Sequence, residues 1–373
     1  MKLFDVYPLY DVCPVRAKDV HVYDEKGTEY LDLYGGHAVI SVGHGHPHYV
    51  EQLEKQLHKI AFYSNAIINP LQQELADKIG NHSCLHDYQM FLCSSGAEAN
   101  ENALKLASFQ TGKKRVIAFK NAFHGRTSAA VAATDNRNIN APLNQQQEVT
   151  FLAFNDSQAL EEELKKGDVC AVIFEPIQGV GGLDMPEDDF VFQMESLCNQ
   201  YNTCLIADEV QSGFSRSGTF FAFQKNNIQP HIITMAKGMG NGFPIGGILV
   251  HPDIKAKYGM LGTTFGGNHL ACVASIAVLD ILKNENLQNH AKTMEAYFRS
   301  LAKKLNGAKI KGRGLMLGLE FDFEVGPLRK RLIYEKHIFT GGSSNKNVLR
   351  ILPPLTVQKA HFDQLFEALE ELL

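Results

Sequence analysis

CAVIFEP (residues 170–176), CLIADEV (204–210) and HIITMAK (231–237) are three apolar stretches, each with a charged residue at or near its end. Between the first two lies a helical pattern at 190–201, whose apolar side chains fall on one face. Alternation of β-rich runs with amphipathic helices predicts crossover units on a parallel sheet. The sequence therefore predicts an α/β fold with a mostly parallel central sheet.

The same alternation of predicted strands and helices continues toward the N-terminus. QMFLCS (89–94) and RVIAF (115–119) are further predicted strands, and residues 97–110 between them form a predicted amphipathic helix that Gly112 would end. The sequence thus predicts five strands for the central sheet, joined by helices.

Both ends of the chain have a different pattern. Residues 20–34 alternate apolar and polar around a turn at 25–27, which predicts a hairpin outside the main sheet. GLMLGLEF (314–321) alternates in the same way, and the chain closes with an apolar helix face. That face is predicted to carry Phe362, Phe366, Leu369 and Leu373.

We accordingly expect two domains in this chain. Residues 1–50 and 285–373 would together form a small α+β domain. Residues 51–284 would form the large α/β domain that holds the site.

Composition narrows the class of protein. The 373 residues carry 36 Lys and Arg against 41 Asp and Glu, a net charge of −5, and 45% are hydrophobic. This is the balance of an ordinary globular protein, and without a basic cluster no nucleic-acid partner is expected. No apolar run approaches the roughly 18 residues of a membrane span. Seven scattered cysteines and an N-terminus without a secretory pattern favour a cytoplasmic protein.

Charged residues that end predicted strands are the first candidates for chemistry, because ligands of open α/β sheets bind beyond the carboxyl ends of the strands. Glu175, Asp208 and Lys237 are such residues. A carboxylate and an amine at one sheet edge suit pyridoxal 5′-phosphate, whose aldehyde reacts with a lysine and whose pyridine nitrogen is kept protonated by a carboxylate. Each residue taken alone would more often be an ordinary solvated or paired charge.

The cofactor also needs a phosphate site. SSGAEANENALKLA (94–107) places Ser95, Gly96 and Ala97 at a strand-to-helix turn, where free N–H groups and the helix dipole favour an anion. An ordinary helix start, with Ser95 as N-cap and Glu98 three residues later, is the alternative.

Six motifs together resemble the class III pyridoxal-phosphate aminotransferases, and within them the acetylornithine/ornithine group, which includes N-succinylornithine aminotransferases. They match in order and spacing from about residue 20 onward. The resemblance implies fold type I and a homodimer whose active sites lie at the subunit interface. The motifs are SSGAEANENALKLA (94–107), NAFHGRT (121–127), FEPIQGVGG (174–182), ADEVQSGFSRSG (207–218), MAKGMGNGFPIGG (235–247) and TTFGGNHLAC (263–272).

The resemblance assigns roles around the cofactor. Lys237 matches the lysine that binds the cofactor and then moves a proton between substrate and cofactor carbons. Asp208 matches the partner of the pyridine nitrogen. The remaining matches are Ser95, Gly96 and Ala97 at the phosphate, Gln211 near the ring hydroxyl, Phe123 and Val210 on the two ring faces, and Thr264 as a phosphate ligand donated across the dimer interface.

For the substrate, the resemblance implies two guanidinium groups. Arg126 matches the one that binds a substrate carboxylate, and Arg350 the one that binds the second carboxylate of 2-oxoglutarate or glutamate. Val180 stands where ornithine-type members carry a Glu that pairs with this second Arg, and His37 replaces a substrate-contacting aromatic residue. An unpaired Arg350 favours a donor with an extra carboxylate, such as N-succinylornithine.

The expected reaction moves the terminal amino group of N-acetylornithine or N-succinylornithine to 2-oxoglutarate, in arginine biosynthesis. Aminotransferases of free ornithine or of 4-aminobutyrate are alternatives. So are a non-catalytic protein that binds pyridoxal phosphate and an α/β binding protein without a cofactor.

Two other motifs have competing interpretations. GHGHPH (43–48) lacks the spacing of familiar zinc sites, and no metal is expected. In MAKGMGNGFPIGG, Phe243 and Pro244 break the glycine pattern of dinucleotide-binding proteins, which disfavours a nicotinamide enzyme.

Overall fold

The computed structural model describes all 373 residues. Its strands are β1 (Pro14–Lys18), β2 (His21–Asp24), β3 (Glu29–Asp32), β4 (Gln89–Cys93), β5 (Arg115–Phe119), β6 (Val149–Leu152), β7 (Val169–Phe174), β8 (Cys204–Asp208), β9 (Ile232–Met235), β10 (Gly246–Val250), β11 (Lys309–Arg313), β12 (Met316–Glu320), β13 (Ile338–Phe339) and β14 (Val348–Ile351). Its helices are α1 (Gly35–Ala38), α2 (Pro47–Leu57), α3 (Pro70–Ser83), α4 (Gly96–Thr111), α5 (Ser128–Ala132), α6 (Ser157–Leu164), α7 (Asp188–Gln200), α8 (His269–Asn284), α9 (Leu287–Ala302), α10 (Gly326–Lys336) and α11 (Lys359–Leu372).

A seven-stranded sheet forms the centre of the molecule, in the order β4-β10-β9-β8-β7-β5-β6. The strands from β9 to β6 are parallel to one another, whereas β10 is antiparallel to both of its neighbours, β4 and β9. The predicted α/β class with a mostly parallel sheet is confirmed. β6 and β10 were not among the predicted strands.

The middle strands consist mostly of apolar residues, because helices cover both faces of the sheet. Every residue of β7, β8 and β9 is buried. Helix α4 packs against β7, β9 and β10. It starts with the predicted cap, in which the Ser95 hydroxyl accepts from the Glu98 N–H at 3.2 Å, and it ends at Gly112, whose φ of 70° suits glycine.

Two small sheets flank the central one, with the orders β1-β2-β3-β13 and β11-β12-β14. The predicted hairpin is the antiparallel pair β2–β3, and β13 joins it in parallel from the other end of the chain. All strands of the central sheet come from 89–250, which supports the division into 1–50 with 285–373 and 51–284; that division stays a prediction.

The closing helix differs from its predicted pattern in one residue. Phe362, Phe366 and Leu369 are buried on α11 as predicted, but Leu373 lies past the end of the helix and is 54% exposed. Leu372 takes its place in the core, because the buried face of a helix repeats every three to four residues. None of the helices has the length and apolar character needed to cross a membrane.

Strand order brings the predicted charged residues to one edge. β8 ends at Asp208, and its parallel neighbour β9 ends two residues before Lys237. β7, which ends one residue before Glu175, lies on the other side of β8. The predicted convergence of Asp208 and Lys237 at the carboxyl edge of the sheet is confirmed, and Glu175 follows the neighbouring strand at the same edge.

Candidate functional site

A cavity of about 370 Å³ lies at this edge of the sheet. Ten of the thirteen predicted site residues line it, and Thr264, His37 and Arg350 do not. The ten are Ser95, Gly96, Ala97, Phe123, Arg126, Val180, Asp208, Val210, Gln211 and Lys237.

The carboxylate of Asp208 is buried and receives four hydrogen bonds. Its Oδ2 accepts from Nδ2 of Asn100 and from Nδ1 of His124, each at 2.7 Å. Its Oδ1 accepts from the N–H of Val210 at 3.0 Å and from the hydroxyl of Thr234 at 3.4 Å. Four donors around one carboxylate fix its orientation.

His124 and Asn100 are the residues that sequence reasoning missed. Burial opposes a charge on His124, but the hydrogen bond and the charge of Asp208 raise the pKa of the imidazole. His124 directly follows Phe123 in the motif at 121–127, and Asn100 lies one helical turn after Gly96 in the motif at 94–107. Their position within these motifs is the signal that could have identified them. His124 Nε2 and Asn100 Oδ1 are buried without a hydrogen-bond partner.

Lys237 follows β9 in a left-handed backbone conformation, with φ of 46°. Burial lowers the pKa of its amine, and the charges of Asp208 and Glu175 oppose this shift. A lysine with a lowered pKa has more of the neutral form, which is the form that attacks a carbonyl carbon. The placement therefore suits an amine that reacts with an aldehyde.

Glu175 forms a second buried carboxylate beside Asp208. Its Oε1 accepts from the N–H of Gly179 at 2.9 Å, and its Oε2 from the N–H of Phe123 at 3.1 Å. Burial, with a smaller contribution from the charge of Asp208, raises the pKa of Glu175 to about 7. This residue joins two segments of the cavity wall and titrates near neutral pH.

The turn into α4 has the features of a phosphate site. The helix begins at Gly96, and the first N–H groups of a helix lack partners within the helix. A Cβ at Gly96 would lie 2.5 Å from Cγ1 of Val210, so only glycine lets this turn approach the ring-face residue so closely. The alternative of an ordinary capped helix describes the Ser95 contact but not this close approach.

The residues present fit pyridoxal phosphate. Asp208 is an anchored anion, Lys237 is the nearby amine, and Phe123 and Val210 line the cavity between them and the helix start. Gln211 has a buried Oε1 without a partner, while its Nε2 donates to the carbonyl of His37 at 3.1 Å. When bound, the cofactor supplies an electron sink for the carbon that carries the amine.

The two predicted guanidinium groups differ in environment. Arg126 lines the cavity and is exposed. Arg350 is 3% exposed, and burial lowers the pKa of its guanidinium. Its Nε donates to the carbonyl of Gly342 at 2.6 Å and its Nη1 to that of Gly179, which lines the cavity, at 2.8 Å. No carboxylate lies within salt-bridge distance of Arg350, and its guanidinium donates to two backbone carbonyls instead.

The remaining predicted positions, His37 and Thr264, do not line the cavity. His37 has a φ of 68°, and its ring is hydrogen-bonded to the hydroxyl of Tyr34. Thr264 is exposed and away from the cavity of its own chain. Its role as a phosphate ligand across a dimer interface stays a prediction.

The three histidines of residues 43–48 face different acids. His44 Nε2 lies 2.9 Å from Asp32 Oδ2, and His46 Nε2 lies 2.8 Å from Glu285 Oε1. His48 Nε2 is 3.8 Å from a carboxylate oxygen of Asp280. The alternating histidines thus pair separately with three acids.

Comparison with known proteins places this geometry in a family. The model of the family described as "Aminotransferase class-III" matches residues 5–373 of this chain. The acetylornithine aminotransferase of Aquifex aeolicus is 38% identical over 381 aligned residues, covering 100% of this chain and 99% of the relative. The solved ornithine aminotransferase of Toxoplasma gondii has a TM-score of 0.91 at 28% identity, covering 99% of this chain and 92% of that one. A second structure of that enzyme contains pyridoxal phosphate at its active site.

A solved acetylornithine aminotransferase, from Elizabethkingia anophelis, has a TM-score of 0.84 at 30% identity, covering 99% of this chain and 95% of that one. The fold, the residues that line the cavity, and the comparisons of sequence and of structure all indicate the same family. The chain belongs to the class III aminotransferases and is a pyridoxal-phosphate-dependent transaminase.

Proposed function

We propose that this protein moves the terminal amino group of an N-acylated ornithine to 2-oxoglutarate, giving the N-acyl glutamate semialdehyde and glutamate. The donor is N-acetylornithine or N-succinylornithine, and the step belongs to arginine biosynthesis. The observation that carries the proposal is the presence of two guanidinium groups at one cavity, Arg126 in its wall and Arg350 bonded to the wall residue Gly179. Two such groups suit two carboxylate-bearing substrates that use the same site in turn.

Each residue has a role in this reaction. Arg126 binds the carboxylate of the incoming amino acid, and its planar guanidinium can form two parallel hydrogen bonds with it. The amine of Lys237 would hold the cofactor and, when free, would act as the base that takes the proton from the substrate carbon. Asp208, which four hydrogen-bond donors hold in place, would pair with the pyridine nitrogen of the cofactor.

Support for an N-acylated donor over free ornithine comes from two sources. Three relatives that are 35–38% identical to this chain are acetylornithine aminotransferases, whereas two solved ornithine aminotransferases are 27–28% identical. His37 also replaces the aromatic residue expected of enzymes for free ornithine. Ornithine and 4-aminobutyrate are the alternative donors, and a non-catalytic pyridoxal-phosphate protein is disfavoured by the intact Lys237–Asp208 pair.

A particular observation favours N-succinylornithine as a second candidate donor. Arg350 is buried and has only neutral carbonyls as partners. A buried guanidinium without an acid is costly, and an anionic ligand would offset that cost. The terminal carboxylate of a succinyl group would supply such an anion, in addition to that of 2-oxoglutarate.

The proposal includes a cytoplasmic homodimer with shared active sites. Thr264, the expected phosphate ligand of the second subunit, is exposed beside Phe265, which is 62% exposed. Nearby Phe62, Tyr63 and Ile67 are also exposed, and Phe62 packs against Phe265. Light scattering would give a mass of about 83 kDa if the 41.4 kDa chain forms a dimer.

The test is a titration of the yellow holoenzyme with four donors, followed by its visible spectrum. N-acetylornithine, N-succinylornithine, ornithine and 4-aminobutyrate are added separately, without an acceptor. The donor that bleaches the protein at the lowest concentration is the preferred substrate, and we expect an N-acylated ornithine. Bleaching by ornithine or 4-aminobutyrate at lower concentration would contradict the proposal.

A further inference from the structure

Residues 35–43, here called the wall segment, begin with a left-handed turn. All four residues of α1, Gly35–Ala38, have φ between 54° and 68°. The two glycines tolerate this conformation, but it is unfavourable for His37 and Ala38, which carry a Cβ. The next residue, Val39, lines the cavity. Because a strained backbone beside an active site persists only where its surroundings hold it, the contacts of the wall segment indicate what fixes this part of the cavity.

The side chain of Asn241 makes three hydrogen bonds to the wall segment. Its Oδ1 accepts from the N–H groups of Ser41 and Val42, at 2.8 and 3.0 Å. Its Nδ2 donates to the carbonyl of Gly43 at 3.0 Å. Asn241 is 6% exposed, so these bonds are made away from water. One amide side chain therefore satisfies the backbone of three successive residues of the wall segment.

Asn241 belongs to the loop that begins with the reacting lysine, Lys237. The hydroxyl of Ser41 donates to the carbonyl of Gly238 at 2.7 Å, so a fourth bond joins the wall segment to this loop directly beside the lysine. The residue that follows Asn241, Gly242, lines the cavity. The wall segment and the lysine loop are therefore held together along the edge of the cavity.

The loop that follows Asp208 contacts the wall segment through two further side chains. Nε2 of Gln211 donates to the carbonyl of His37 at 3.1 Å, and Nη2 of Arg216 donates to that of Ile40 at 3.3 Å. Each of these side chains makes one bond to the wall segment, and both bonds are longer than the three that Asn241 makes. Asn241 is therefore the side chain that holds the wall segment most firmly.

We propose that Asn241 is a positioning residue that fixes the wall segment, and with it the cavity wall at Val39, relative to Lys237. Asn241 does not line the cavity, so it acts on the substrate through the wall segment and not by contact. Its loss should weaken substrate binding more than it slows the reaction, because the bond from Ser41 still holds the lysine loop. The choice of donor in the test rests on the proposed function.

Asn241→Gly removes all three bonds without straining the backbone, because glycine accepts the φ of 46° found at this position. The concentration of N-acetylornithine that half-bleaches the yellow holoenzyme should rise about tenfold. The single-turnover rate at saturating donor should fall less than about threefold. Asn241→Asp keeps the acceptor for two N–H groups and loses the donor to Gly43, so it should recover part of the affinity.

The matched control is Asn155→Gly. Asn155 is also left-handed, with φ of 68°, and its Oδ1 accepts from the N–H of Glu187 at 2.9 Å, but it does not line the cavity or contact the wall segment. This variant should bind the donor like the wild type. Equal donor affinity in Asn241→Gly and the wild type, or an equal loss in Asn241→Gly and Asn155→Gly, would overturn the proposal. So would a rate at saturation that falls as much as the affinity.

Two further measurements need no natural donor. Amide hydrogen exchange at Ser41 and Val42 should be faster in Asn241→Gly than in the wild type and unchanged in Asn155→Gly, and equal exchange in all three proteins would overturn the proposal. Aminooxyacetate reacts with the cofactor aldehyde through its aminooxy group, and its half-bleaching concentration should also rise in Asn241→Gly. A wild type that aminooxyacetate bleaches and no donor does would contradict the proposed function alone, and an unchanged aminooxyacetate titration in Asn241→Gly would then overturn the positioning role.

Discussion

The cofactor region, around Asp208, and the substrate region, around Arg350, differ in how the charge of the buried side chain is compensated. Asp208 is met by four hydrogen-bond donors, including His124, so its charge is compensated before any ligand binds. Arg350 is equally buried but is met only by the carbonyls of Gly179 and Gly342. The chain itself supplies hydrogen-bond partners for the carboxylate of Asp208, whereas it supplies no acid for the guanidinium of Arg350.

The difference separates two properties of the enzyme. The reaction class depends on groups that are preorganised, because catalysis gains most from charges fixed in advance. Substrate choice depends on groups whose charge is left for the ligand to balance, since a buried cation without an acid discriminates against neutral ligands. Substitutions in the two regions should therefore have different kinetic signatures.

Asp208→Asn removes the charge of the cofactor region and should have the largest effect. Loss of a preorganised electrostatic contact costs about 100- to 1,000-fold in kcat. The loss should be the same for every donor, because Asp208 does not contact the substrate. Single-turnover rates with N-acetylornithine and with N-succinylornithine measure it. Thr234→Val, which removes the longest of the four hydrogen bonds, is the control and should cost little; a donor-dependent loss would break the comparison.

The carboxyl group of Glu175, in the cofactor region, should make the stability of the protein depend on pH. Its pKa is raised from 4.5 to about 7, so the folded protein holds this proton more tightly than the unfolded chain does. Stability from this group is present below pH 4.5 and is lost as pH rises through 7, by at most about 3 kcal/mol. Glu175→Gln should flatten the decline in unfolding free energy between pH 5 and 8, whatever its effect on the overall level.

Thermal unfolding of the holoenzyme at pH 5, 6, 7 and 8 measures this slope. Glu74→Gln, an exposed change on α3, is the matched control and should follow the wild type. Parallel curves for the wild type and Glu175→Gln would show that Glu175 is not the titrating group.

Arg350→Gln removes the charge of the substrate region. The KM for 2-oxoglutarate should rise about 10- to 100-fold, as expected for lost charge-assisted hydrogen bonds to a carboxylate. The single-turnover rate with saturating N-acetylornithine should stay near the wild type. Arg126→Gln, by contrast, should weaken donor and acceptor alike. Equal losses on both substrates in Arg350→Gln would mean that the two regions are not separate.

Local patterns were enough to predict the sheet edge that carries Asp208 and Lys237, whereas the other cofactor residues were assigned from the family resemblance. Strands β7, β8 and β9 are buried on both sides, so their apolar runs stand out, and the charged residues that follow them are adjacent in sequence. Asp208 and Lys237 therefore lie where the strand pattern predicted them. β10 was missed because its Gly-Gly start is a weak strand signal, and its pairing of Gly247 with both Leu92 and Met235 is long-range.

The partners of the buried charges could not be predicted in the same way. The contact between His124 and Asp208 spans 84 positions, and that between Arg350 and the carbonyl of Gly179 spans 171. Every residue has a backbone carbonyl, so a carbonyl acceptor has no signature in the sequence. The family pattern at Val180 predicted a missing acid, but only the folded chain identifies what replaces it.

Val180→Glu would give the substrate region the acid it lacks and should have the smallest effect. Val180 is half-buried in the cavity wall, next to the residue whose carbonyl holds Arg350. A carboxylate there would compete with the second carboxylate of a substrate, so N-succinylornithine turnover should fall about three- to tenfold relative to N-acetylornithine. Val180→Gln has the same size without the charge and should leave that ratio nearly unchanged. An unchanged ratio in Val180→Glu as well would mean that the uncompensated charge of Arg350 does not select the donor, and that its role is confined to 2-oxoglutarate.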